Sequence, residues 1–322
     1  METAPAIGID VGGTKIAGAL VAADGRLLAE TRHESPATDV AAILGTIVNL
    51  VDELRQHTGE APAGVGVAAA GFVAEDRSTI YFAPNLAWRS EKIGVELNER
   101  LGCNVVVEND ANAAAWGEYR FGGHDDSGGE LLALTIGTGI GGGLVHGGEL
   151  VRGGFGIAGE VGHLRVEQNG RLCGCGQHGC WEQYGSGSAL TRTTRKLVAA
   201  RTDGSEHLLQ RAGGDADAVT GPMIGEAAAA GDAFAKARLE ELGTWIGIGA
   251  ASLAAVLDPR LIVLGGGVSE IGEPLLEVVR RAFEANLPAA GFRPVAEIRI
   301  ASLGNRAGVL GAADLSRPRA HD

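Results

Sequence analysis

From Gly159 to Glu182 the chain reads GEVGHLRVEQNGRLCGCGQHGCWE, which sets His163, Cys173, Cys175 and Cys180 within 18 positions. The rest of the chain holds one further cysteine, Cys103. Three thiolates and an imidazole are the usual ligands of a closed tetrahedral Zn²⁺ site, and the glycines between them let a short loop fold back until all four reach one ion. Three small buried hydrophobes, or a disulfide, are the plain alternatives. Glu160 and Glu182 bracket the cluster, so a metal there could hold two carboxylates and an imidazole ready for a polar small molecule.

Two glycine-rich loops carry the second kind of chemistry. Gly8 to Lys15 looks like a phosphate loop but has Gly-Thr-Lys where Gly-Lys-Ser/Thr is required. Gly137 to Gly142 satisfies GxGxxG, yet a dinucleotide fold needs a helix next, and Leu144 to Val151 reads as a hairpin. What remains is a pair of loops, Gly12-Gly13-Thr14-Lys15 and Gly137-Thr138-Gly139, whose backbone N–H groups and threonine hydroxyls can cradle phosphate from two sides. Ordinary tight turns are the alternative for either loop alone. Asp10, at a strand end, could orient a Mg²⁺-bound water, and Lys15 could neutralise phosphate charge.

These residues need elements to hold them. Ile7, Ile9 and Val11 alternate with small or polar residues, and Ile16 to Val21 follows before an Asp24-Gly25 turn, giving a strand, a Gly-rich bend and a hairpin. Val40, Ile43, Leu44, Ile47, Val51 and Leu54 keep helical spacing towards Gly59, and Gly64 to Gly71 reads as a buried strand. A helix is predicted from Glu91 to Leu101, capped by Ser90 and stopped by Gly102, followed by the strand Val105 to Val107. Asp110 alone would more often be the N-cap of a helix running from Ala111 to Phe121. Leu131 to Ile136 and the loop after it repeat the first strand and loop roughly 125 residues on, the mark of a duplicated fold. Alternation of strand and helix makes the class α/β. Thr202 to Pro222 reads as a polar insertion, ahead of a long helix from Asp232 to Leu257 and the strand LIVLGGG at Leu261 to Gly267.

At 322 residues and 45% hydrophobic, with no apolar run of membrane-spanning length, the chain is expected to be soluble with room for two domains. No signal peptide is expected, because six residues without a basic-then-apolar pattern precede the first strand. A reduced, cytoplasmic setting follows and favours metal over disulfide. The net charge of −13 disfavours nucleic acid.

Taken in order, DVGGTK at Asp10 to Lys15, NDANAAAWGE at Asn109 to Glu118, TIGTGIGGG at Thr135 to Gly143, GEVGH at Gly159 to His163, CGCGQHGCWE at Cys173 to Glu182 and LIVLGGGVS at Leu261 to Ser269 resemble the ROK family of sugar kinases, most closely its bacterial glucokinases. The resemblance covers essentially the whole chain. It implies a two-lobed actin/hexokinase-like fold, duplicated and ribonuclease H-like, with an interlobe cleft. The small lobe would hold 1–110 and 303–322, with the last helix, near Asn305 to Leu315, packing back on it; the larger lobe, 111–302, would carry the zinc loop.

Carried over by position, the resemblance makes Asp110 the general base and Asn109, Glu160, His163 and Glu182 the sugar-binding set, with Gly71 and Asn85 as further sugar-side positions. His163 would serve zinc with one ring nitrogen and a sugar hydroxyl with the other. Gly265, Gly266 and Gly267 would let adenosine approach, a simple strand-end turn being the alternative. Zinc would be structural, and Mg²⁺ would arrive on ATP. The implied reaction is ATP-dependent phosphorylation of D-glucose to glucose 6-phosphate, with lobe closure excluding water. A kinase for N-acetylmannosamine, fructose or allose, a polyphosphate-using glucokinase and a non-catalytic sugar sensor are the other readings. A homo-oligomer, dimer or tetramer, is implied as well.

Overall fold

The computed structural model describes residues 4–84 and 86–318. The chain divides into two compact units, Met1–Ala133 with Gly142–Gly159 and Ser302–Asp322, and Leu134–Gly141 with Glu160–Ala301. In the first unit, strands β1 (Ala6–Val11), β2 (Lys15–Val21) and β3 (Leu27–Glu34) form an antiparallel meander, and β4 (Val65–Ala69) lies parallel to β1. A small antiparallel sheet follows, made of β5 (Phe72–Val73), β6 (Ile80–Phe82) and β7 (Arg89–Glu91). Strand β8 (Val105–Asn109) then pairs in parallel with β4, so the main sheet runs β3-β2-β1-β4-β8. Helices α1 (Val40–Arg55), α2 (Ile93–Leu101) and α3 (Asp110–Phe121) connect these strands.

The next strands are β9 (Leu131–Ile136), β10 (Ile140–His146), β11 (Glu149–Leu150), β12 (Leu261–Gly265) and β13 (Glu297–Ile300), in the order β11-β10-β9-β12-β13. The division between the units falls inside β9 and β10. Strand β9 begins 125 residues after β1, and β10 the same distance after β2; β12 and β13 are parallel, as β4 and β8 are. The duplicated α/β fold expected from the sequence is therefore present. The second unit adds α4 (Glu182–Gly185), α5 (Gly187–Ala199), α6 (Glu206–Arg211), α7 (Gly221–Ala229), α8 (Ala233–Leu257) and α9 (Glu273–Asn286), and the chain closes with α10 (Ala307–Leu315) in the first unit.

The two faces of β1 show why its residue types alternate as they do. Ile7, Ile9 and Val11 enter a core shared with Ile43, Leu44, Ile47 and Leu50 of α1, whereas Ala6 packs with Val309, Leu310 and Ala313 of α10. On the α10 face the sheet presents glycine because nothing larger fits: a Cβ at Gly66 would stand 1.8 Å from the Ala312 carbonyl oxygen. The crossing of α3 and α10 is equally close, with a Cβ at Gly311 meeting the Ala113 oxygen at 1.8 Å. Asp314, buried on α10, accepts from Trp116 Nε1 at 2.8 Å and Arg120 Nε at 3.1 Å, which fixes the last helix onto α3.

Several local expectations need correction. The segment Arg89–Glu91 is a short strand, so the helix starts at Ile93 and Ser90 does not cap it; Ser90 instead sits in the middle of that strand at φ +59°. Gly102 does stop that helix in the left-handed conformation. Helix α1 ends at Arg55, before Gly59, because its apolar stripe ends at Leu54. The polar stretch from Thr202 to Pro222 holds α6 and the start of α7, with Leu208 and Leu209 buried. Asp110 is not the N-cap of α3: Asn109 takes that place.

Candidate functional site

The parallel register of the first unit gathers its polar candidates at one sheet edge. Val11, Ala69 and Asn109 are aligned partners at the carboxyl ends of β1, β4 and β8. The Gly12–Lys15 turn, Gly71 and the Asn109-Asp110 pair therefore emerge side by side, at the edge where open α/β sheets bind ligands. The Gly12 N–H donates to the Lys15 carbonyl at 3.0 Å to close the turn, leaving Thr14 and Lys15 exposed. Gly71 accepts from Asn109 Nδ2 at 3.0 Å.

Asn109 relieves Asp110 of the structural task that its position suggested. The Asn109 Oδ1 accepts the Asn112 N–H at 3.0 Å, so the cap is in place and Asp110 becomes the first helical residue. The Asp110 carboxylate accepts the N–H of Ala111 at 2.9 Å. Its pKa is raised, because desolvation outweighs these backbone contacts. Asp10 is pushed up to about 7, first by desolvation and then by the charge of Asp110. Two carboxylates that repel each other form a place where a divalent cation would relieve the repulsion.

In the second unit the cluster named from sequence does assemble. The ligand atoms of His163, Cys173, Cys175 and Cys180 all lie within 4.8 Å of one another. Cys173 Sγ is 3.6 Å from His163 Nδ1, and Cys175 Sγ is 3.6 Å from Cys180 Sγ, with all the cysteines free. These separations and the three-sulfur, one-nitrogen donor set fit tetrahedral zinc. Burial raises the pKa of Cys173 and Cys180, and a cation at this point would favour their thiolates instead.

The bracketing carboxylates adjoin the same cluster. Glu182 Oε1 accepts from Cys173 Sγ at 2.9 Å, and Glu160 Oε2 lies 3.8 Å from His163 Nε2. The imidazole thus turns one nitrogen to the sulfurs and the other towards Glu160. Trp181, fully buried between Cys180 and Glu182, donates from Nε1 to the Trp245 carbonyl at 2.7 Å and lies flat against Gly249 of α8. The loop is therefore anchored on its carboxyl side. Gly139 completes the approach, since a Cβ there would stand 2.6 Å from Glu182 Oε2.

Thr138 and Gly267 line a cavity of about 1690 Å³ within the second unit, together with Thr191, Arg195, Pro222 and Ile271. Gly266, at φ +82°, lies against the backbone of Ile136, so the loops after β9 and β12 meet at its edge; Gly265 packs against Ala301. The contributions of α5, α7 and α9 were not anticipated from sequence. Their signal was the helix starts Ser186-Gly187 and Thr220-Gly221-Pro222, which read only as loop punctuation without the fold. Asn85 lies outside the described residues.

Residues 6–319 match the ROK family. The chain is 44% identical to a glucokinase of Streptomyces coelicolor, over 97% of each chain. It is 32% identical to an N-acetylmannosamine kinase of Escherichia fergusonii, over 97% of this chain and 98% of the other. Among solved structures, a ROK family glucokinase from Streptomyces griseus in complex with glucose and AMPPNP superposes with a TM-score of 0.86 at 44% identity, covering 97% of this chain and 99% of that one.

Proposed function

The chain belongs to the ROK family, and on that premise we propose that it is an ATP-dependent glucokinase, transferring the terminal phosphoryl group of ATP to the 6-hydroxyl of D-glucose. The observation that carries this reading is the junction of β8 and α3, where Asn109 caps the helix and Asp110 is left to work as a base. Phosphoryl transfer depends mainly on positioning and charge stabilisation, and a carboxylate within reach of the acceptor hydroxyl takes its proton as the bond to phosphorus forms. A raised pKa suits that proton transfer better than an ordinary aspartate would.

In this proposal Gly71, Asn85, Asn109, Asp110, Glu160, His163 and Glu182 are the sugar-binding residues. Asp10, the Gly12–Lys15 turn, Thr138, Gly139 and Gly265–Gly267 serve the nucleotide. Mg²⁺ on the nucleotide would neutralise charge on its phosphates, and Asp10 is the carboxylate suited to face it. Zinc, held by His163, Cys173, Cys175 and Cys180, is structural and keeps Glu182 and His163 in place. A homo-oligomer and a cytoplasmic location belong to the same proposal; among the described residues no helix is long and apolar enough to cross a membrane.

The test is ADP release with Mg·ATP over glucose, N-acetylmannosamine, fructose, mannose and allose, with polyphosphate as a second donor. Dominant turnover on glucose with ATP is expected. Dominant turnover on N-acetylmannosamine would keep the mechanism and replace the substrate, and binding of sugar without turnover on any of them would overturn the kinase reading.

A further inference from the structure

Glu108, the residue before the Asn109-Asp110 pair, is 1% exposed and carries its carboxylate into the protein. A buried carboxylate survives only with charged and hydrogen-bonding partners. Its partners are arranged around the junction that presents Asp110. Oε1 accepts the Asn109 N–H at 3.0 Å and Asn112 Nδ2 at 3.3 Å, so the residues on both sides of Asp110 hang on one oxygen. Oε2 accepts from Arg152 Nε at 2.8 Å, and Arg77 Nε lies 3.7 Å away.

Arg152 carries the connection further within the first unit. Its other two guanidinium nitrogens donate to the carbonyls of Ala74 at 2.9 Å and Glu75 at 3.1 Å, in the stretch just after Gly71. One planar fork thus ties the β8–α3 junction to the chain that follows Gly71, which itself accepts from Asn109. Three bonds in fixed directions define a position in a way a single point charge does not.

We propose that Glu108 and Arg152 are positioning residues for the general base: the ion pair holds the Asn109–Asn112 turn, and with it the Asp110 carboxylate, where the acceptor hydroxyl arrives. This rests on the reading of Asp110 as the base. Both side chains are largely buried, so their loss acts on turnover through geometry, and a misplacement on the order of 1 Å lowers turnover up to ~100-fold. Sugar affinity draws also on Glu160, His163 and Glu182, which lie outside this turn, so it changes less than turnover.

The experiment compares Glu108→Gln, Arg152→Met, the double variant and Arg152→Lys with Asp110→Asn, measuring kcat, glucose KM and Tm for each. The single variants leave one buried group unpaired and lower Tm. The double variant removes both charges of the pair, a replacement that is often neutral for stability, but it also takes the Glu108 carboxylate from Arg77, so its Tm is expected to recover in part. Its kcat is expected to stay about 10-fold to 100-fold low with glucose KM within about threefold of the parent. Should the double variant not fold, Arg152→Lys, which keeps the charge and loses the fork, is expected to show the same fall in kcat with KM again within about threefold.

Parental kcat in a folded double variant, or in Arg152→Lys where the double does not fold, would overturn the inference and make the pair purely structural. Asp110→Asn separates the two levels. If it is inactive while the folded double variant turns over normally, only the positioning role falls. If Asp110→Asn itself turns over normally, the base assignment falls and the inference with it.

Discussion

In the first unit, Asp10 and Asp110 stand at the ends of hydrogen-bonded strands, whereas in the second Glu160, His163 and Glu182 stand on a stretch with little regular structure between β11 and the first residue of α4. The Asp10 and Asp110 backbones are fixed by the parallel register of β1, β4 and β8 and by the cap on α3. Between Glu160 and Glu182 there are only a single 3₁₀ turn at Val161–His163 and isolated bridges at Arg165–Cys180 and Leu172–His178. There the donor cluster and the buried Trp181 take over the work that backbone pairing performs elsewhere. Strand register survives the loss of any one side chain, but a cluster held by an ion depends on that ion.

The largest effect is expected from the strand-held group. Asp110→Asn removes the proposed proton acceptor without disturbing the Asn109 cap, so kcat should fall by about 10²-fold to 10⁴-fold while glucose affinity stays within a few fold. Measured ADP release at parental rates would remove Asp110 from the chemistry and leave the first unit with a merely structural carboxylate.

Chelating the proposed zinc of the second unit comes next. Loss of zinc should raise hydrogen exchange across residues 160–182 and weaken glucose binding on the order of 10-fold to 100-fold, while exchange across residues 105–121 stays as it was. Demonstrated zinc content in the purified protein is the first half of that measurement. Complete metal removal with unchanged exchange and affinity would show that Trp181 and its contacts suffice to hold the loop.

How much of this contrast was legible in the chain follows from the same physics. The cysteine cluster was legible because ligand chemistry needs particular residue types at short spacing, and the strands because buried parallel strands read as short apolar runs. Motif order made the family recognisable. The cap itself was not legible, since Asn109 and Asp110 are both good N-caps and only the register of β8, which runs two residues beyond the apolar Val105–Val107, decides between them. The walls contributed to the cavity by α5, α7 and α9 were invisible for a different reason: they come from helices far apart in sequence whose facing sides are set by packing.

Asp10 allows the electrostatic side of the comparison to be sharpened. Its ordinary value is 3.8 and in the folded protein it is pushed up to about 7. Between those values the folded state holds a proton that the unfolded chain has released, so stability falls as pH rises from about 4 to about 7 and is level beyond. Asp10→Asn removes this liability. Without Mg²⁺ or nucleotide, the variant should exceed the parent in stability at pH 8 by on the order of 2–4 kcal/mol, shrinking towards zero near pH 4. Urea denaturation at the two pH values measures it, and a difference independent of pH would mean that the Asp10 carboxylate is compensated in the folded state.

The smallest effect concerns Asn109, where position and binding can be told apart. Asn109→Ala loses the cap to Asn112 and the bond to the Gly71 carbonyl, and should cost about 1–2 kcal/mol of stability. Asn109→Asp keeps an oxygen for the cap, loses the donor to Gly71 and adds a charge beside Asp110, so it should cost less in stability than alanine. If Asn109 acts only by shaping the junction, glucose KM follows stability and is more disturbed in the alanine variant. If its amide also meets the sugar, the aspartate variant, which lacks the same N–H donor, raises KM as much as alanine does despite its sounder fold. Steady-state glucose KM for the two variants, read beside their denaturation midpoints, decides whether this strand end is scaffold alone or also part of the sugar site.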